Sequence, residues 1–146
     1  MMASLKLSKE NTDVEIMYMN IERSNYVAMA FSDDKNHGKD LVFACSPSWA
    51  TSVCGVYWNK EGYENEKLTD KKKLIENLRV REESSSWGVK FSLPNQITIN
   101  EYKFDLEKGH YIFLSTGTVN EYKLTAPTKI MASTSKFGKK GNSEGN

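Results

Sequence analysis

Residues 26–45, YVAMAFSDDKNHGKDLVFAC, constrain the fold more than any other part of the chain. An apolar run, 26–31, leads into a polar turn, 32–38, that holds Asp33, Asp34 and Gly38, and a second apolar run follows at 40–45. Short apolar runs bounded by turn formers read as strands, and the unbroken run 26–31 suits a central one. The small side chains of Ala28 and Ala30 let a neighbouring layer or a ligand approach closely. The turn also holds His37, one of only two histidines in the chain; the other, His110, opens a further apolar strand in GHYIFLSTG.

Strand signals continue on both sides. Val14, Ile16 and Tyr18 share one face and Met17, Met19 and Ile21 the other, so the strand there is expected to be covered on both sides. Residues 53–58 pair with 41–45 across a loop rich in turn formers, Ser46-Pro47-Ser48. Residues 59–73 are polar and end in Lys71, Lys72 and Lys73, a solvated face by composition. Residues 73–80 suit either a helical turn or a strand, and the β surroundings favour the strand. Trp87, Val89, Phe91 and Leu93 alternate with polar or small residues, which marks a half-buried strand ended by Pro94-Asn95. Residues 97–106 read as one strand with a slip near Asn100, and 122–130 as an edge strand, because Pro127 cannot donate to a ladder.

Strands about every ten residues, separated by turns, predict an all-β fold. The expected architecture is an antiparallel β-sandwich, immunoglobulin-like in layout, with nine or ten strands over residues 1–132. Residues 133–146 turn to Ser, Lys, Gly, Asn and Glu and are expected to be a disordered tail. A chain of 146 residues buries enough surface to hold a core without a metal. Its 20 basic and 19 acidic residues give no electrostatic case for nucleic acid. No apolar run is long enough for a membrane-spanning helix. The sequence shows no secretory signal and no Asn-x-Ser/Thr sequon. Cys45 and Cys54, the only cysteines, flank one loop and are close enough in sequence to bond in an oxidising compartment; as thiols they would be small core residues.

Two segments carry a family resemblance. Residues 26–45 look like the strand–turn–strand motif of the DOMON family, in which an apolar strand ends in Ser-Asp-Asp and an Asp opens the next strand. Residues 104–119, FDLEKGHYIFLSTGTV, look like that family's closing motif, and the resemblance spans residues 5–132. The family comprises β-sandwich domains of dopamine β-hydroxylase-like enzymes, ferric-chelate reductase-like proteins and the cytochrome domain of cellobiose dehydrogenase. The chain is most similar in flavour to the ferric-chelate reductase-like branch. The resemblance implies haem b as cofactor, electron transfer to or from a membrane cytochrome or another protein partner, no catalytic activity of the module alone, and an extracellular location.

Haem-binding members place a Met before the Gly of the turn; here His37 stands there, so the family's His/Met pair is altered. The family's second ligand is a His near the later strands, and His110 is the candidate. A b-type haem needs two axial donors and an apolar slot. His37 and His110 form one donor pair; Met29, Met17 or Met19 could replace one of them. Phe31, Ile112 and Leu114, with Val42 and Trp87, are the candidate walls. The competing reading is a haem-free recognition domain that binds carbohydrate or protein through its loops, where Trp49, Tyr57, Trp58 and Tyr63 gather; core packing is the simpler expectation for Tyr57 and Trp58 and equally open for Trp49. Asp33, Asp34 and Asp40 suit a calcium loop or an ordinary turn, and two histidines without a carboxylate or thiolate cluster make a poor zinc site.

Overall fold

The computed structural model describes residues 2–32, 40–49, 53–59, 65–67, 74–99, 102–121 and 123–132. His37, Asp33, Asp34, Tyr63 and the expected tail at 133–146 lie outside the described residues. The described chain contains thirteen strands and no helix. In order they are β1 (Met2–Leu7), β2 (Asn11–Met19), β3 (Asn25–Ser32), β4 (Asp40–Cys45), β5 (Cys54–Asn59), β6 (Asn65–Lys67) and β7 (Glu76–Glu83). Then follow β8 (Ser86–Pro94), β9 (Gln96–Ile99), β10 (Tyr102–Asp105), β11 (Tyr111–Asn120), β12 (Lys123–Leu124) and β13 (Lys129–Ala132).

Two antiparallel sheets form the sandwich. One has the order β1-β2-β8-β7; the other has the order β12-β11-β3-β4-β5-β6, with β13 also paired to β11. The all-β sandwich expected from the sequence is the observed fold. The count exceeds nine or ten because short pieces of two to four residues, β6, β12 and β13, extend the second sheet at its edges. The segment read as one strand with a slip is instead two antiparallel strands, β9 and β10, with Ile99 opposite Tyr102. The region of 122–130 likewise supplies two short edge strands, separated by Pro127, rather than one.

The first sheet follows simple alternation. Thr12, Val14 and Ile16 of β2 and Trp87, Val89, Phe91 and Leu93 of β8 are buried, while Asp13, Glu15 and Lys90 point the other way. Their inward side chains meet Val27, Met29, Phe31, Leu41, Phe43 and Val56 of the second sheet in one core. Burying each large apolar side chain there is worth about 1.5–3 kcal/mol. β3 and β4 depart from alternation because their other face is buried too. Tyr26, Ala28, Ala30, Val42 and Ala44 belong to a second apolar cluster with Trp49, Tyr57, Phe113 and Leu124. That is why 26–31 and 40–45 are apolar without interruption.

Two polar devices fix the chain where strands end or cross within a layer. Asn95, 2% exposed, sits where the chain leaves β8. Its Oδ1 accepts a bond from the Thr12 hydroxyl at 2.7 Å, and its Nδ2 donates to the Ser8 carbonyl at 2.8 Å. Its backbone carbonyl accepts from Leu106 N–H at 2.7 Å, tying the end of β10 to the same point. On the second sheet Tyr26 lies over Gly117 of β11 and donates its hydroxyl to the Thr125 carbonyl at 3.0 Å. A Cβ on Gly117 would stand 2.8 Å from the Tyr26 ring, so only glycine leaves room for it. Burial pushes the Tyr26 hydroxyl up to about 12.

Candidate functional site

His110 is placed by the turn that precedes β11. Asp105 Oδ1 accepts from Glu107 N–H at 3.0 Å, and Lys108 N–H donates to the Asp105 carbonyl at 3.1 Å. The tightened turn brings the Lys108 carbonyl within 2.9 Å of His110 Nδ1. A carbonyl only accepts, so Nδ1 carries a proton, and in the neutral ring Nε2 holds the lone pair. That tautomer is the one a histidine adopts when Nε2 ligates a metal and a backbone carbonyl orients the ring.

His110 continues the face defined by Ile112 and Leu114, which oppose Phe31 and Met29 on β3. The ring is 4% exposed. It meets Phe31 edge-on, with centroids 6.4 Å apart, and Phe104 at 6.2 Å. Phe104 in turn meets Trp58 of β5 at 5.6 Å. His110 therefore stands at one end of the inter-sheet core inside an aromatic enclosure. Phe31 and Ile112 are buried beside it, and Leu114 is half-buried farther along the strand.

The other candidates fall elsewhere. Met29 is fully buried and lies level with Leu114, four residues along β11 from His110, about 13 Å by strand rise. Phe31 stands between them, and both project from the same sheet, so Met29 is a core side chain rather than a donor facing His110. Met17 packs over Gly88 on the first sheet. Met19 is largely exposed at the opposite end of the sandwich. Val42 is on the outer face of the second sheet, and Trp87 is at the far end of the core from His110. Trp49, for which core packing and an open loop position were both expected, and Tyr57, expected in the core, are both interior. Their rings stack at 6.1 Å, and Trp49 Nε1 donates to the Glu121 carbonyl at 2.6 Å.

Cys45 and Cys54 are cross-strand partners on β4 and β5, with Cα atoms 4.0 Å apart and their sulfurs bonded. They lie at the end of the sandwich away from His110. Asp40 is completely buried at the His110 end, on the outer face with Val42 and Ala44. Among the described residues no three His, Cys, Asp or Glu side chains gather to hold a bare metal ion. No helix among them is long and apolar enough to cross a membrane. The sequence did not reveal Phe104 and Trp58 as neighbours of His110, because the fold-back of β9 and β10 that brings Phe104 there has no distinctive turn signal.

No protein-family profile matches the sequence, and no curated protein is significantly similar to it. Among solved structures, the chain is similar to the cytochrome domain of cellobiose dehydrogenase from Myriococcum thermophilum, with a TM-score of 0.54 and 6% sequence identity. The similarity covers 90% of this chain and 68% of that one. At this identity the likeness is one of fold.

Proposed function

We propose that the chain is a DOMON-type module that binds haem b through His110 and serves electron transfer. The observation that carries the reading is the state of His110: buried, flanked by Phe31 and Phe104, with Nδ1 donating to a backbone carbonyl. The donor set fits the group. A haem asks for an Nε2 lone pair, a fixed ring orientation and apolar flanks, and it does not need the three-ligand cluster of a bare ion. When bound, the haem supplies a one-electron iron couple whose potential follows axial ligation and burial. His110 would hold the group through its Nε2, with the Lys108 carbonyl orienting the ring and Phe31, Phe104 and Ile112 keeping water from it. His37 is the second donor in this reading, by its place in the motif.

The cytochrome-domain likeness supports the reading at the level of fold. The module is one component of a reductase-like system, not a complete enzyme, and its partner is a membrane cytochrome or another redox protein. The bonded Cys45–Cys54 pair accords with an extracellular or otherwise oxidising location. His110→Phe tests the assignment, because it keeps the ring packing and removes the nitrogen. Haem-loaded wild-type protein should show a low-spin spectrum that His110→Phe loses while its near-UV circular dichroism stays native. A low-spin spectrum unchanged in His110→Phe would overturn it.

A further inference from the structure

The four-stranded sheet has two edge strands, β7 and β1, and they are built differently. β7 breaks register between Glu76 and Arg79, holds Asn77 at φ 56°, and carries Glu76, Arg79, Arg81, Glu82 and Glu83. Irregularity and charge of this kind stop a sheet edge from pairing with another chain. β1 lacks both protections. Its six residues run in unbroken register with β2, from Met2 opposite Met17 to Leu7 opposite Thr12, and Lys6 is their only charge. It contains no proline and no glycine. The edge pieces of the second sheet are shorter, with three residues in β6, two in β12 and four in β13. Among the described residues β1 has a strand on one side only.

The phase of the β1–β2 ladder decides which backbone groups face the open side. Ser8 N–H donates to the Asn11 carbonyl at 2.8 Å, so Ser8 and Asn11 form a hydrogen-bonded pair at the hairpin end. Such pairs recur at every second residue of an antiparallel ladder. Met2, Ser4 and Lys6 therefore bond to β2, and Ala3, Leu5 and Leu7 turn their N–H and C=O groups outward. The other side of β2 agrees with this phase. Asn20 N–H donates to the Ser85 carbonyl at 2.7 Å and Asn95 N–H to the Glu10 carbonyl at 2.9 Å, which gives the alternate residues of β2 to β8.

We propose that β1 pairs antiparallel with β1 of a second copy of this chain, about a two-fold axis at Leu5, joining two four-stranded sheets into one. That register uses every outward backbone group. Leu5 exchanges both bonds with the second copy's Leu5, and Ala3 does so with the second copy's Leu7. An axis at Leu7 instead would carry Ala3 past the end of the strand and set Leu5 against the charged Lys9. The side chains agree with the Leu5 axis. Ala3, Leu5 and Leu7 are half-buried, with Ala3 and Leu5 packed on the inter-sheet core, so a second strand would cover them further. Small Ala3 meets large Leu7 on that face. On the exposed face Ser4 falls opposite the second copy's Lys6, so no like charges meet. The strand is thus complementary to itself in bonds, volume and charge, which makes a second copy the occupant. One pair of six-residue strands is a small interface, and the association is weak and reversible.

Sedimentation velocity and amide hydrogen exchange on the full chain, at rising protein concentration, test this. The chain should pass from monomer to dimer, and exchange at Ala3, Leu5 and Leu7 should slow as the dimer forms while exchange at β7 does not. Ala3→Pro replaces an outward N–H with a ring that blocks the second strand and spares the bonds to β2. It should abolish association at concentrations where the wild type is dimeric, with an unchanged far-UV circular dichroism spectrum. Ser4→Lys places a charge opposite Glu15 within the sheet but opposite the second copy's Lys6 in the dimer. It should raise the dimer dissociation constant about threefold or more at low salt, and less at high salt. This variant decides the matter if Ala3→Pro does not fold. A wild-type chain that stays monomeric throughout overturns the proposal. So does a dimer whose dissociation constant neither variant raises, or one whose formation leaves exchange in β1 unchanged. None of these readouts depends on haem.

Discussion

Replacing Asn95 by Ala tests how the end of β8 is locked to β2 and to the turn between β1 and β2. The side chain is buried and makes two good bonds, to the Thr12 hydroxyl at 2.7 Å and the Ser8 carbonyl at 2.8 Å. Truncation leaves the Thr12 hydroxyl, which is 0% exposed, without its acceptor. An orphaned buried hydroxyl costs about 1–3 kcal/mol. The Ser8 carbonyl belongs to an exposed residue, so water replaces part of that bond and the further loss is about 0.5–1 kcal/mol. The expected destabilisation is thus about 2–4 kcal/mol, read as a lowered urea midpoint at constant slope. Thr12→Val removes the hydroxyl itself, so the double variant should cost less than the sum of the singles by about 1–2 kcal/mol. A loss below about 0.5 kcal/mol for Asn95→Ala, or strict additivity in the cycle, would refute the reasoning.

Tyr26 is held protonated, with a folded-state value raised above the unfolded one, so its contribution is complete below pH ~10 and is lost as pH rises toward about 12. Alkaline titration of unfolding should show this decline, on the order of 2 kcal/mol, in wild type and not in Tyr26→Phe. Gly117→Ala should destabilise by about 1–3 kcal/mol by forcing the Tyr26 ring off its bond to Thr125, and an unchanged melting temperature would contradict that packing. Removing the disulfide with Cys45→Ala and Cys54→Ala together should leave a folded sandwich that is less stable by about 2–3 kcal/mol, from the entropy of a loop with sequence separation 9. A double variant that fails to fold would show the bond to be essential instead.

The parts of the fold legible in the sequence are those in which local pattern and burial agree. β8 alternates because one face is wet, and β3 and β4 are apolar throughout because both faces are covered. β2, expected to be covered on both sides, has one wet face instead, with Met19 exposed, since its methionines and Ile21 resemble buried residues in sequence. The inward place of Tyr57 follows from its strand, whereas that of Trp49 was open, because an aromatic in a turn-rich loop has the same local signature whether it folds inward or stays exposed. The β9–β10 fold-back was hidden because its alternation also suits one bulged strand, and the turn residues carry no Gly signal. His110 was visible as an isolated imidazole at a strand end, and parity correctly put it on the face of Ile112. Its enclosure by Phe104 and Trp58 depends on strands distant in sequence. Met29 had the right chemistry for a ligand but the wrong level on its strand, which only the β3–β11 register reveals.

The central claim is that the sandwich holds a haem at its His110 end. The measurement that tests it most directly is a visible absorption titration of the purified chain with haemin, recorded before and after dithionite. The account predicts a saturable Soret band at one haem per chain, shifting on reduction with the paired bands of a six-coordinate low-spin iron. A titration that yields only the spectrum of free haemin, oxidised and reduced, would contradict it.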